Sequence, residues 1–157
     1  MPRLTPFLWF DTQAEEAARF YASVFPRSAV KAVHHFPEDA PMTPGAVMTV
    51  DFTLDGQDFI ALNGGPMHRF NPAVSFVVNC ANQAEIDHYW SALSEGGGEV
   101  ECGWIRDRYG LSWQIVPGVL WEWLQSSDPA TKARVLHAVW SMAKLDLAAL
   151  ERAYRGE

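Results

Sequence analysis

One spacing constrains this chain more than any other: a strand, a capping sequence and an amphipathic helix occur twice, 70 residues apart. Residues 4–10, LTPFLWF, form a short aromatic-rich strand with Pro6 near its start, where the missing N–H is tolerated. Thr12-Gln-Ala-Glu15 follows as a capping box, with Thr12 able to accept from first-turn N–H groups and Glu15 able to reach back. The helix places Ala14, Ala17, Ala18 and Tyr21 on one stripe, with Phe20 and Val24 beside it, and Pro26 ends it. Residues 73–80, AVSFVVNC, are again a strand, Asn82-Gln-Ala-Glu85 again a capping box, and Ile86, Tyr89, Trp90 and Leu93 again one helical face. Phe7 falls on Val77, Thr12 on Asn82 and Phe20 on Trp90. A fixed offset across three kinds of element points to a duplicated βαβββ unit.

The segments between carry strand patterns. Ala29–His35 precedes a Pro-, Glu- and Asp-rich loop, Pro37–Gly45. Ala46–Leu54 and Gln57–Asn63 flank Asp55-Gly56, a strong hairpin turn. In the second unit Glu99–Ile105 and Leu111–Val116 flank the turn Asp107-Arg-Tyr-Gly110, where Gly110 suits a positive φ. If Trp113 and Ile115 face a packed layer, Ser112, Gln114 and Val116 face the other way. The Gln114 amide is then either a hydrogen-bonded core group or part of a pocket wall. Arg106 and Arg108 around Asp107 read as a solvated turn. Beyond Pro117 the chain turns helical: Val119–Leu124, a helix capped by Asp128 with Pro129 first and Val135, Val139 and Met142 inside, and Asp146–Tyr154 with Leu147 and Leu150.

A length of 157 residues suits one domain or two small fused halves. With 48% hydrophobic residues and seven Trp, the chain is not a disordered one. The net charge of -7 argues against nucleic acid or an anionic membrane as partner. The N-terminus resembles no signal peptide, no apolar run reaches membrane-spanning length, and Cys80 and Cys102 form no CxxC pair. A soluble, cytoplasmic protein is the expectation.

Pro6-Phe-Leu-Trp-Phe-Asp11, Gln13-Ala-Glu-Glu16, Leu62-Asn-Gly-Gly-Pro66, Ser75-Phe-Val-Val-Asn-Cys80, Cys102-Gly-Trp104 and Gly110-Leu-Ser-Trp-Gln-Ile-Val-Pro117 together resemble one family. It is the PhnB-like, demethylubiquinone methyltransferase-like branch of the vicinal oxygen chelate superfamily (glyoxalase, bleomycin resistance, dioxygenase). The resemblance extends over essentially the whole chain, helical tail included. It implies an α+β fold in which two βαβββ modules form a curled mixed sheet around a cleft. Module 1 spans about 1–66, module 2 about 72–117 and the tail 118–157, all as one domain in a homodimer.

The resemblance also implies four positions that often carry a divalent metal. The first strands supply Thr5 or Phe7 and Ser75 or Val77; the last strands supply Ala61 or Asn63, and Gln114. Divalent cations of this kind want imidazole or carboxylate donors, which none of these residues offers. Of the histidines, His34 and His35 border a loop, His88 and His137 lie elsewhere, and only His68 is near a cleft mouth. The expectation is no metal and no cofactor, which removes the Lewis acid of glyoxalase and dioxygenase chemistry. The methyltransferase description meets a similar obstacle, since Gly64-Gly65 and Gly96-Gly-Gly98 do not follow a strand and open a helix. Gly110-Leu-Ser112-Trp-Gln114 lacks the closing glycine of a nucleophile elbow, and Cys102 has no identifiable histidine partner.

Two functions remain. One is a metal-free binding protein whose cleft is lined by Phe7, Trp9, Asn63, Ser75, Asn79, Trp104 and Gln114 and takes a small, partly aromatic molecule. Trp9 and Trp104 have ordinary core packing as their alternative role. The other is a lyase, isomerase or oxygenase, using a metal held otherwise or an acid–base pair such as Asp11 and Gln114.

Overall fold

The computed structural model describes residues 2–126 and 128–157, in two compact units, Met1–Phe70 and Asn71–Glu157. The first holds β1 (Phe7–Phe10), α1 (Ala14–Val24), β2 (Ala29–His35), β3 (Val47–Leu54) and β4 (Gln57–Asn63), in sheet order β1-β4-β3-β2. The second holds β5 (Ser75–Cys80), α2 (Gln83–Ser94), β6 (Gly98–Glu99), β7 (Trp104–Arg106) and β8 (Ser112–Pro117), in the same order, β5-β8-β7-β6. In each sheet the first strand pairs parallel with the last and the other pairs are antiparallel. The α+β fold of two βαβββ modules is therefore present, as two four-stranded mixed sheets.

Each sheet buries one face under its helix. Ala14, Ala17, Ala18, Tyr21 and Val24 of α1 are buried, as are Leu8, Phe10, Val50, Phe52, Phe59 and Ala61 of the first sheet. Ile86, Trp90 and Leu93 of α2 are buried, with Ile105, Trp113 and Ile115 of the second sheet. Each of the larger apolar side chains among them contributes roughly 1.5–3 kcal/mol on leaving water, and each alanine under about 1 kcal/mol, so helix and sheet face are held together by the stripe that the sequence marks out.

The turns follow their chemistry. Asp55 and Gly56 both take positive φ (48° and 80°), the hairpin geometry expected of Asp-Gly. Gly110 takes φ 88°. Asp107 beside it is not solvated: it is 2% exposed while Arg106 and Arg108 are exposed. Its Oδ1 accepts from Tyr109 N (2.8 Å) and Leu111 N (3.0 Å), and its Oδ2 from Trp113 Nε1 (2.8 Å). The carboxylate is buried because it organises the turn from within.

The two capping boxes behave differently. Asn82 accepts from Glu85 N at 3.0 Å, and Glu85 Oε2 accepts from Ala81 N at 2.8 Å, as a box should. At α1 the cap residue is Gln13, without a side-chain cap bond, and Ala14 N donates instead to Asn63 Oδ1 at 2.8 Å. Thr12 is displaced by an amide from β4. The expected strand Glu99–Ile105 is also interrupted: Cys102 and Gly103 take positive φ, and their N–H groups donate to Met142 O (2.8 Å) and Ala143 O (2.9 Å).

The tail comprises α3 (Val119–Ser126), α4 (Pro129–Trp140) and α5 (Leu147–Arg155). Asp128 caps α4 ahead of Pro129, and Asp146 caps α5. Leu120, Trp123, Val135, Val139, Leu145 and Leu150 bury together with Val116 of β8, so the tail shares a core with the second sheet. Trp123 stacks on Tyr154 at 4.9 Å. No described helix is long and apolar enough to cross a membrane.

Candidate functional site

Strand parity decides which side chains leave the helix-packed faces. In the second sheet Ile105, Trp113 and Ile115 turn to α2, so Ser75, Val77, Asn79, Trp104, Ser112, Gln114 and Val116 share the opposite, open face. Gln114 lies between Val77 and Trp104 in the register. Its Nε2 donates to Ser75 Oγ at 3.0 Å, and both residues are half-buried. That bond leaves the Gln114 carbonyl oxygen as an acceptor and the Ser75 hydroxyl proton as a donor. Val77, 39% exposed, and the half-buried Trp104 supply apolar surface on either side.

Two residues of this face are already engaged by the tail. Val116 is buried in the tail core, and Trp121 Nε1 donates to Asn79 Oδ1 at 2.6 Å. The tail thus engages the Asn79 end of the face, where Asn79 and Trp121 themselves stay exposed, while Ser75 and Gln114 are half-buried.

In the first sheet Leu8, Phe10, Val50, Phe52 and Ala61 turn to α1, which leaves Phe7, Trp9, Thr49, Asp51, Ile60 and Leu62 on the open face. Phe7 is 55% exposed on an edge strand. Trp9 is fixed: its indole donates to Gly65 O at 2.9 Å, and its ring meets His68 edge-on at 4.8 Å. A Cβ on Gly64 would stand 2.3 Å from the Trp9 ring, so only glycine lets the connector approach this closely.

Asn63 is set apart from the other expected ligand contacts. It pairs with Phe10, on the α1 side, where it holds Ala14 N and donates to Val47 O at 3.1 Å. The two register choices for the first module's last strand, Ala61 and Asn63, both face the helix. The repeat gives the reason: Val77 pairs with Gln114, and its counterpart Phe7 pairs with Ile60. The position equivalent to Gln114 is therefore Ile60, one residue from Ala61 and three from Asn63, an odd step from both.

Sequence reasoning also passed over His34 and Asp51. His34 lies 3.2 Å from Asp51 (Nε2 to Oδ2) on adjacent strands of this open face. Alternation within Ala29–His35 and Ala46–Leu54 could have placed both there. Cys80 is buried, and that burial, aided by the Glu85 charge, pushes its thiol up to about 12, well away from thiolate reactivity.

The donor set does not fit a divalent metal. In the second module Val77 and Gln114 offer one amide, with the Ser75 hydroxyl beside it; in the first, Phe7 and Ile60 offer no donor, and Asp51 beside Ile60 is paired with His34. Among the described residues, no group of three or more His, Cys, Asp or Glu could hold a metal ion. A methyl-donor nucleotide of the common parallel-sheet kind does not fit either. The strand-to-helix connections that open α1 and α2, Asp11-Thr12-Gln13 and Ala81-Asn82, contain no glycine, and the one between β8 and α3 is the single residue Gly118, not a glycine-rich loop that could cradle a phosphate or carboxylate.

Comparison with known proteins places these features. The profile of a family described as 3-demethylubiquinone-9 3-methyltransferase matches residues 2–116. A PhnB protein from Bacillus cereus, named for the same methyltransferase, is 34% identical with a TM-score of 0.68, covering 74% of this chain and 99% of its own. Protein PA1353 from Pseudomonas aeruginosa is 21% identical with a TM-score of 0.61, over 73% of this chain and 96% of its own. The genomically encoded fosfomycin resistance protein FosX from Listeria monocytogenes, solved with Mn(II) and sulfate, is 13% identical with a TM-score of 0.52, over 79% and 95%. The latter two show likeness of fold. No curated protein matches the chain. The expectation that the resemblance runs through the tail is corrected, because the profile ends at residue 116 and α3, α4 and α5 lie beyond it.

Proposed function

Because the chain belongs to the PhnB-like family, described as 3-demethylubiquinone-9 3-methyltransferase, within the vicinal oxygen chelate superfamily, we propose that it binds a small, partly aromatic molecule without a metal. The observation that carries this reading is the Gln114–Ser75 pair, a donor and an acceptor presented side by side, with the apolar Val77 and Trp104 flanking Gln114. Apolar walls with a few placed polar groups are the ordinary makeup of a small-molecule site. Asn79, beside the tail, completes the proposed contacts of this face, and Phe7 and Trp9 are proposed contacts on the first module's own open face. Residues 1–157 act in this reading as one domain, in a cytoplasmic homodimer.

Native mass spectrometry of the purified protein, followed by titration of any retained compound, tests the proposal. Gln114→Ala weakens that compound's affinity about tenfold, the usual worth of one well-made hydrogen bond in a desolvated site. Unchanged affinity moves the ligand off this face.

The superfamily's lyase, isomerase and dioxygenase activities form the second reading, and the His34–Asp51 pair is the observation in its favour. An imidazole held by a carboxylate on an open face can move a proton. Conversion of the retained compound by wild-type protein, abolished by His34→Gln with binding intact, would favour this reading over simple sequestration.

A further inference from the structure

A cavity of about 430 Å³ opens in the first unit where β1 and β4 end and α1 begins, with the β2–β3 loop as its outer wall. This volume lies within the range of small-molecule sites. Phe36, Met42 and Val47 give it an apolar side, and Asp11, Thr12 and Thr43 a polar one. Among the described residues, the Asp11 carboxylate and the two threonine hydroxyls carry no side-chain hydrogen bond, so all three are available to a ligand. Thr12 is available because Asn63, also in the wall, has taken over the capping of α1.

The surrounding charge selects the ligand. Residues 36–47 contain Glu38 and Asp39 and no Lys or Arg. Glu15 at the rim is neutralised by Arg19 at 2.6 Å, which leaves Asp11 as the charge of the cavity itself. A helix N-terminus ordinarily favours anions, but here Ala14 N is occupied by Asn63 Oδ1 and the first turn carries the acidic Glu15 and Glu16. We propose that this cavity is a second binding site, for a small organic ammonium ion. Its charge would meet Asp11, its N–H donors the Thr12 and Thr43 hydroxyls, and its apolar body Phe36 and Met42. The site shares only Asn63 with the ligand contacts expected from sequence and stands or falls separately from the Gln114 face.

Titration of ¹⁵N-labelled protein with benzylammonium, benzyl alcohol and benzoate tests the assignment. Benzylammonium shifts the Thr12, Val47 and Gly65 amides at millimolar concentration, while the neutral and anionic analogues bind about tenfold more weakly. Asp11→Asn removes that preference, and Asp39→Asn, outside the cavity lining, leaves it in place. Equal binding of all three compounds, preference for benzoate, an unaffected Asp11→Asn variant, or shifts mapping to other residues would each overturn the proposal.

Discussion

Asp107 shows how one buried charge can carry a whole turn. Replacing it with alanine strands the N–H groups of Tyr109 and Leu111 and the Trp113 indole in a buried setting. We expect Asp107→Ala to cost about 2–4 kcal/mol in urea unfolding, and a loss under about 1 kcal/mol would contradict this role. Cys80 gives a pH signature. Its thiol is held up to about 12 against 9.0 in the unfolded chain, so above pH 9 the folded state retains a proton that the unfolded state releases. Stability falls as pH rises from about 9 toward 12, by at most about 1.4 kcal/mol per unit, and Cys80→Ala flattens that part of the curve. Urea midpoints of the two proteins across this pH range check it. Gly64→Ala would force Trp9 from its place and cost about 1–3 kcal/mol. An unshifted Trp9 indole resonance would contradict the contact.

At the scale of elements, the sequence was most legible where periodicity and turn chemistry agree. The stripe of α1, the Asp55-Gly56 hairpin and the Asp128-Pro129 start of α4 all appear where their residues predict. The orientation of β8 was readable from Trp113 and Ile115 alone. What could not be read depends on partners distant in sequence. Thr12 has every local qualification as a cap, yet Asn63, far along the chain, reaches Ala14 N instead. The bounds of the first module's last strand, Gln57–Asn63, were legible, but not which of its residues matches Gln114, because a short apolar run such as Phe59–Leu62 has no polar member to mark its faces. Tail and sheet meet through Asn79 and Trp121, a contact no local pattern announces. Trp121→Phe removes that hydrogen bond and lowers stability by about 1 kcal/mol in thermal or urea melts, whereas an unchanged midpoint would make the tail's hold on this face depend on Val116 alone.

The molecule as a whole repeats one topology twice, and the 70-residue offset between the two capping sequences was enough to reveal it. Ligand-bearing positions were harder to read, because duplication preserves the parity of strands but not the chemistry of the side chains they carry. Ile60 stands where the second module has Gln114, and the second module itself offers a cation one amide with one hydroxyl. The measurement that reaches this point most directly is titration of the ¹⁵N-labelled protein with Mn(II), whose paramagnetism broadens nearby resonances. The account predicts no site-selective broadening at Ser75, Val77 or Gln114 at one equivalent. Stoichiometric broadening centred on those residues would contradict it.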